Sequence, residues 1–228
     1  MHAIQTAHTR ATGGGQEAPA LRFRPAQADD AQACAPLMFA SGVREFGYFL
    51  GEQPDTCIAF LQFAFASKHG RFSYRRHRVA VTGDGTVVAL LAMHDGRAIW
   101  FDDPHVALML LSFFGVRRTV GMLLRGLVLE SELPAPKSSQ TQIAHCATHE
   151  QMRGEGVFSA LFTNTLRAEL LHEARGRQIV LDVLVSNTRA YELYKRLNFA
   201  ELPRKNPVSR RLPRELESVR MELTGATD

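Results

Sequence analysis

Residues 143–162 read IAHCATHEQMRGEGVFSALF, and the fold follows from how that stretch divides. Its first residues have the character of a buried strand. A short polar turn follows, carrying Arg153-Gly154-Glu155-Gly156, and the chain then enters an amphipathic helix. Glycines two apart let the backbone come close to a ligand, because no Cβ stands in the way. The first turn of a helix leaves N–H groups without partners, and the helix dipole adds partial positive charge there. A strand, a glycine-bearing turn and a helix N-terminus therefore suit a phosphate cradle. An ordinary strand-to-helix loop accounts for the same letters equally well, since short glycine patterns are common.

Downstream, Leu161, Phe162, Thr165, Leu166, Leu170 and His172 repeat with a 3.6 period. They predict a helix over 158–174, with one face toward a sheet and Gly176 at its end. Residues 178–185 form a short continuous apolar run, the mark of a central strand buried on both faces. Asn187 begins another helix, reaching Leu197. Residues 199–202 and 218–223 are closing strands, joined by a basic, proline-broken segment over 203–214.

Upstream, residues 1–20 hold Gly13-Gly14-Gly15 and little apolar content, and read as a disordered tail. A strand over 21–24 precedes Pro25. Asp29 and Asp30 then stand at the start of a helix over 31–39, where acids cap and complement the dipole. Further helices follow over 43–50, ended by Gly51, and over 55–66, after Pro54. In the latter, Phe60, Phe63 and Phe65 suit a core or an interface, which leaves a homodimer open. Residues 78–93, turning at Gly83-Asp84-Gly85, read as a β-hairpin. Residues 98–133 have helical spacing interrupted by Gly115 and Gly121, and Pro134 and Pro136 close them: two helices between two strands. This order places a right-handed parallel unit, strand–helix–strand, over 141–185. The rest of the sheet is expected to be antiparallel. One domain over 21–224 fits the length.

The bulk numbers exclude more than they select. A net charge of +4 over 228 residues suits an anionic ligand but is too small a surplus for nucleic acid. The arginines at 75, 76 and 78, and the basic cluster at 204, 205, 210, 211 and 214, read as solvated loop charge. Cys34, Cys57 and Cys146 are sparse and without a CxxC pair, which argues against both a disulfide framework and a metal site, and for the cytoplasm. The N-terminus lacks an apolar signal region. The longest apolar run, 106–116, is far short of the ~20 residues of a membrane span.

Residues 141–199 resemble the GNAT superfamily of acyl-CoA-dependent N-acyltransferases. Four stretches carry the resemblance: the strand IAHCAT; the acyl-CoA signature Q/R-x-x-G-x-G/A; the strand LDVLVSN ending at Asn187; and NTRAYELYKRLNF over 187–199, which is similar to the family's helix N-x-x-A-x-x-L-Y-x-x-x-G-F. The opening LRFRPAQADDAQACAPL is also similar to the family's first strand and helix. The likeness covers most of 21–224 and leaves out the tail and a helical insertion over 98–137. It implies an α/β fold with a mixed, mostly antiparallel twisted sheet of about six to seven strands, helices on both faces, and the insertion between the third and fourth strands. Two registers fit the signature. Gln151 to Gly156 satisfies it literally. The register starting at Arg153 keeps the five-residue step from Thr148 and suits the following helix better, but puts Phe158 where a Gly or Ala is usual. Phe158 then either crowds a pyrophosphate or turns into the core.

The resemblance further implies an acetyl-CoA or other acyl-CoA co-substrate and no metal. The pyrophosphate is expected on backbone N–H groups of Arg153, Gly154, Glu155, Gly156, Val157 and Phe158. Pantetheine is expected to pair with the strand edge at Cys146, Ala147 and Thr148, and to touch Asn187. An amine, of a small molecule or a peptide, would attack the thioester directly, and Tyr194 would protonate the leaving thiolate. Tyr191, three residues before Tyr194, is expected on the same face. The general base is the weak point. The histone-acetylating branch carries a glutamate just before the residue matching Ile143; this chain has Gln142. His145 is the candidate, although its strand parity is wrong unless a bulge intervenes. His149, Glu150, His105, Glu130, Glu132, a water chain or an acceptor arriving neutral are alternatives. A GNAT-fold acyl-CoA-binding module without turnover is the competing reading of the whole chain.

Overall fold

A computed structural model describes residues 21–170, 177–204 and 207–225. The tail expected over 1–20, and His172 and Gly176 at the end of the predicted helix, lie outside them. The strands are β1 (Arg22–Pro25), β2 (His77–Val81), β3 (Val87–Asp95), β4 (Gln140–Thr148), β5 (Gln178–Leu184), β6 (Phe199–Glu201) and β7 (Ser218–Leu223). They form one sheet in the order β1-β2-β3-β4-β5-β7-β6. Only β4 and β5 pair in parallel; the other neighbours are antiparallel. The helices are α1 (Ala31–Ser41), α2 (Val43–Leu50), α3 (Pro54–Phe65), α4 (Ile99–Glu130), α5 (Val157–Thr165) and α6 (Thr188–Arg196). Leu166–Leu170 extends α5 as a π-helical turn.

Helices cover both faces of the sheet, and the strand alternation divides the core accordingly. Val79, Val81 and Leu90 pack with Met38, Phe60 and Phe65 of α1 and α3. Ala80, Ala89 and Leu91 pack with Leu161 and Phe162 of α5. Leu90 and Leu91 are wholly buried on opposite faces, so truncating either to alanine costs about 2–5 kcal/mol. This is why the middle of β3 reads as continuous apolar sequence rather than as an alternating one.

The expected pair of helices in the insertion is present: the run α4 is two helical arms divided at Gly115, whose φ of 75° and ψ of 170° are not helical. By length and composition α4 is the one helix among the described residues that would suffice to cross a membrane. The bend divides it, and at 1.5 Å per residue each arm reaches about 24 Å, short of the ~30 Å of a hydrocarbon core. Its second arm is docked on α2: Arg125 donates to the carbonyls of Phe49 (3.0 Å) and Leu50 (2.7 Å), the last ones of that helix. Beyond α4, Glu132 accepts from both terminal nitrogens of Arg204 and from the amide of Ser218 (2.8 Å). The insertion is therefore anchored at α2 and at β7, on either side of the β4/β5 pair.

Candidate active site

The parallel pairing of β4 with β5 runs from Gln140↔Gln178 to Ile143↔Leu181 and stops there. Beyond it β4 continues to Thr148, and the edge of Ala144, Cys146, Ala147 and Thr148 has no registered β5 partner. A ligand edge can pair where the strands part. At the same place β4 bulges against β3: Leu90 faces Ala147, Ala92 faces Ala144, and two residues of β4 stand opposite Leu91. His145 is one of them and takes a φ of 51°, rare for a residue with a side chain. The bulge removes the parity objection to this histidine.

His145 lies among rings. It is stacked on His77 at 5.2 Å and on Phe72 at 5.7 Å, with the edge of His94 at 5.4 Å. Its Nδ1 is 3.0 Å from Nε2 of His77, whose own Nδ1 is 2.8 Å from the carbonyl of Ser73. A carbonyl only accepts, so Nδ1 of His77 holds a proton and Nε2 is the acceptor. The proton between the two rings then belongs to Nδ1 of His145, and the lone pair of His145 is left on Nε2. Burial, then the neighbouring His77 and His94, keep His145 well below the usual imidazole range. Burial brings His77 to about 4 and His94 to about 3. All three rings are neutral at pH 7.

Across the gap, Tyr194 is buried against Phe158 and Phe199, and its hydroxyl stands near Cys146. Burial pushes Tyr194 well above 10 and the Cys146 thiol up to about 12. Tyr194 thus holds its proton throughout the useful pH range. Asn187 caps α6, its side-chain oxygen accepting from the amide of Ala190 at 3.2 Å, and its amide N–H groups stay free to donate.

Two cavities meet at this point. One, of about 330 Å³, is lined by Cys146, Tyr194, Asn187 and Ser186 together with the start of α2. The other, of about 480 Å³, lies between α2, both arms of α4 and the β4/β5 floor. Ile143, Ala144, His145, Asp182 and Glu45 line both.

Past the end of β4 the chain turns into α5. Gly154 and Gly156 have φ of 93° and 74°, and a Cβ built on either meets nothing within 4 Å. Their need for glycine comes from the backbone conformation, and the space before them is open. The Arg153 amide is already bonded to the carbonyl of Glu150 (3.2 Å), while its side chain returns to the carbonyl of Thr148 (3.3 Å). The Arg153 amide, expected to meet a ligand, is therefore already taken within the chain. Phe158 stacks on Phe162 inside the core. It does not crowd the turn.

A family model for FR47-like proteins matches residues 134–207. No curated protein sequence matches the chain. Among solved structures, an N-acetyltransferase from Staphylococcus aureus Mu50 superposes with a TM-score of 0.63 at 16% identity, covering 89% of this chain and 98% of that one. Another acetyltransferase gives 0.60 at 16% identity, covering 88% and 97%. A histone acetyltransferase HPA2 and related acetyltransferase from Corynebacterium glutamicum gives 0.55 at 20% identity, covering 91% and 98%. The chain has the GNAT fold.

Within that GNAT framework the structure brings His145, Cys146, Tyr194 and Asn187 to one cavity, and sets the turn carrying Gly154, Glu155, Gly156 and Val157 between β4 and α5. Tyr191 departs from the expectation: its hydroxyl reaches Glu201 at 3.2 Å, toward β6. Of the alternative bases, Glu132 is held by Arg204, and His105 is stacked on His69 outside both cavities. His149 and Glu150 are exposed past the strand. Glu130 lies on the outer wall of the larger cavity. Gln142 donates to Asp182 at 2.8 Å, and Asp182 accepts from Arg220 at 2.8 and 2.7 Å. The carboxylate missing from β4 thus stands on β5, already paired. Among the described residues no group of His, Cys, Asp and Glu is arranged to hold a metal ion. Sequence reading missed His77, His94 and Glu45. Only their contacts mark them.

Proposed function

We propose that the chain transfers an acyl group, acetyl in the simplest case, from acyl-CoA to a primary amine by direct attack in a ternary complex. The observation that carries this is the bulge: it sets a neutral histidine with a lone pair on Nε2 in the wall common to two cavities. The smaller cavity and the glycine turn beyond it take the pantetheine arm and the pyrophosphate. Backbone N–H groups of 154–158 and the α5 dipole suit the latter. The amine enters through the larger cavity. As the N–C bond forms, its proton passes to Nε2 of His145. The carbonyl oxygen gains charge beside the free backbone edge of β4. The C–S bond breaks as Tyr194 donates its O–H to the departing sulfur, and the proton taken up by His145 returns through solvent to restore the phenol. The neutral state of His145 means that it is ready to accept a proton without first losing one. A cytoplasmic site suits a thioester substrate and three free cysteines.

Calorimetry with acetyl-CoA, combined with thiol release over a panel of amines, tests the proposal. Binding followed by amine-dependent release of CoA is the expected result. Binding with no release from any amine at pH 8 to 9 would leave an acyl-CoA-binding module and overturn the transfer reading.

A further inference from the structure

The larger cavity says more than the reaction class. Its polar wall groups are mostly occupied. Arg71 is held by both oxygens of Asp103 at 2.5 and 2.8 Å, and Asp182 by Arg220 and Gln142. Glu45 has no ion pair among the described residues. Its carboxyl folds back over Gly42 at the start of α2, where a Cβ would lie 3.3 Å from Oε2. The neighbouring Arg44 reaches Ser186 instead, at 2.8 Å. Glu45 also borders both cavities, as His145 does. Between this carboxylate and the outer rim the wall is apolar: Phe46 and Phe49 from α2, Val106 and Ala107 from the first arm of α4, Leu123 and Leu127 from the second. The last two belong to a stripe, with Val116, Val120 and Leu124, that continues exposed along α4.

We infer that the acceptor is a singly charged amphiphilic amine, its ammonium drawn to Glu45 at the junction with the thioester, where it releases one proton to solvent and attacks as the free amine, with its apolar body lying between α2 and α4. This rests on the transfer reading. A hydrophilic amine leaves the apolar wall wet and gains nothing from it. Glu130 also lines this cavity with no ion pair among the described residues, but the wall between it and Glu45 is apolar, so an ammonium in the middle of a polyamine would lie against that wall unpaired, which is costly. Cavity size suits a small molecule, and the exposed stripe gives a longer chain room to continue.

The test is thiol release from acetyl-CoA with propylamine, butylamine, hexylamine, phenethylamine and spermidine. Each buried methylene is worth about fourfold in affinity, so kcat/KM should rise on the order of fiftyfold from propylamine to hexylamine. Spermidine should fall below hexylamine. A hexylamine-to-propylamine ratio under tenfold, or spermidine turned over as efficiently as hexylamine, overturns the inference while leaving transfer itself intact. No turnover with any amine overturns both. Two conservative variants separate the parts. Glu45→Gln should lower kcat/KM at least tenfold for every amine and keep the chain-length ratio; an effect under threefold removes Glu45 from the site. Leu127→Glu, at a position 66% exposed and so harmless to folding, should cut the chain-length ratio at least tenfold with the dissociation constant of CoA unchanged. An unchanged ratio overturns the placement of the apolar body.

Discussion

The two cavities on either side of His145 are built in opposite ways. Beyond the smaller one, which carries Tyr194 and Asn187, the glycine turn and the end of β4 offer backbone: a strand edge with no registered β5 partner, two positive φ angles and a helix start. The larger is made of side chains, contributed by α2, α4 and two strands that are far apart in sequence. A backbone site serves a ligand that stays the same, because its N–H groups do not change with side-chain substitution. A side-chain site can be altered residue by residue. One face of this molecule is suited to a fixed co-substrate, the other to a particular acceptor.

Substitutions at the junction should affect both sides at once. His145→Ala removes the proposed base and is expected to lower kcat by about 10²–10⁴, with the dissociation constant of CoA unchanged by calorimetry. If kcat is unaffected, the amine loses its proton elsewhere. Tyr194→Phe removes only the hydroxyl at Cys146. A loss of about 10² in kcat is expected, within the range for a positioned acid, and it should shrink for thioesters with better leaving thiols.

Substitutions on the backbone side should move one substrate alone. Gly154→Ala places a Cβ in open space but at a φ of 93°. The strain of about 1–2 kcal/mol should raise the KM for acetyl-CoA roughly five- to tenfold and leave that for the amine. Equal effects on both would show that the two cavities are not independent.

The histidine cluster gives the comparison a pH signature. His77 falls to about 4 and His94 to about 3 in the folded chain, against about 6.5 unfolded. The unfolded chain therefore binds more protons as pH drops below 6.5. Their full stability is present above that value and is lost as pH falls toward 4, about 3 kcal/mol for His77 alone. Thermal midpoints should fall over that interval, and His77→Phe should flatten the fall. Because His145 is also held well below its usual range, kcat/KM should show no inflection near pH 6.5. An inflection there would mean that the rings are not packed as described. The smallest effect is expected from Gln142→Glu. The new carboxylate would face Asp182, so a drop of about 1 kcal/mol, or 2–4 °C in Tm, is expected, with no gain in kcat.

The features that were legible in sequence are local ones. Gly154 and Gly156 announce a backbone conformation, and the span from Asn187 to Tyr194 announces a cap and one helical face. The order of elements implies a parallel pair. What was not legible depends on register. A bulge at His145 exists only because β3 pairs one residue short against β4, and nothing in IAHCAT shows that. Phe158 looked like an intruder in the signature, and its direction was decided by packing against Phe162 and Tyr194. Tyr191 shares a helix with Tyr194 yet turns to Glu201, a partner on another strand.

By itself, then, the sequence determined the sheet, the parallel unit and the glycine turn, because hydrophobic period, glycine φ and helix capping act between residues close along the chain. Only the tertiary structure set His145 against His77 and brought Glu45 to the wall of both cavities. His77 stands 68 residues from His145, and Glu45 lies farther still from β4. Side chains so distant meet only when the sheet register and the docking of Arg125 on α2 have set the elements against one another. Burial and hydrogen bonding, which keep His145 neutral, act through space rather than along the chain.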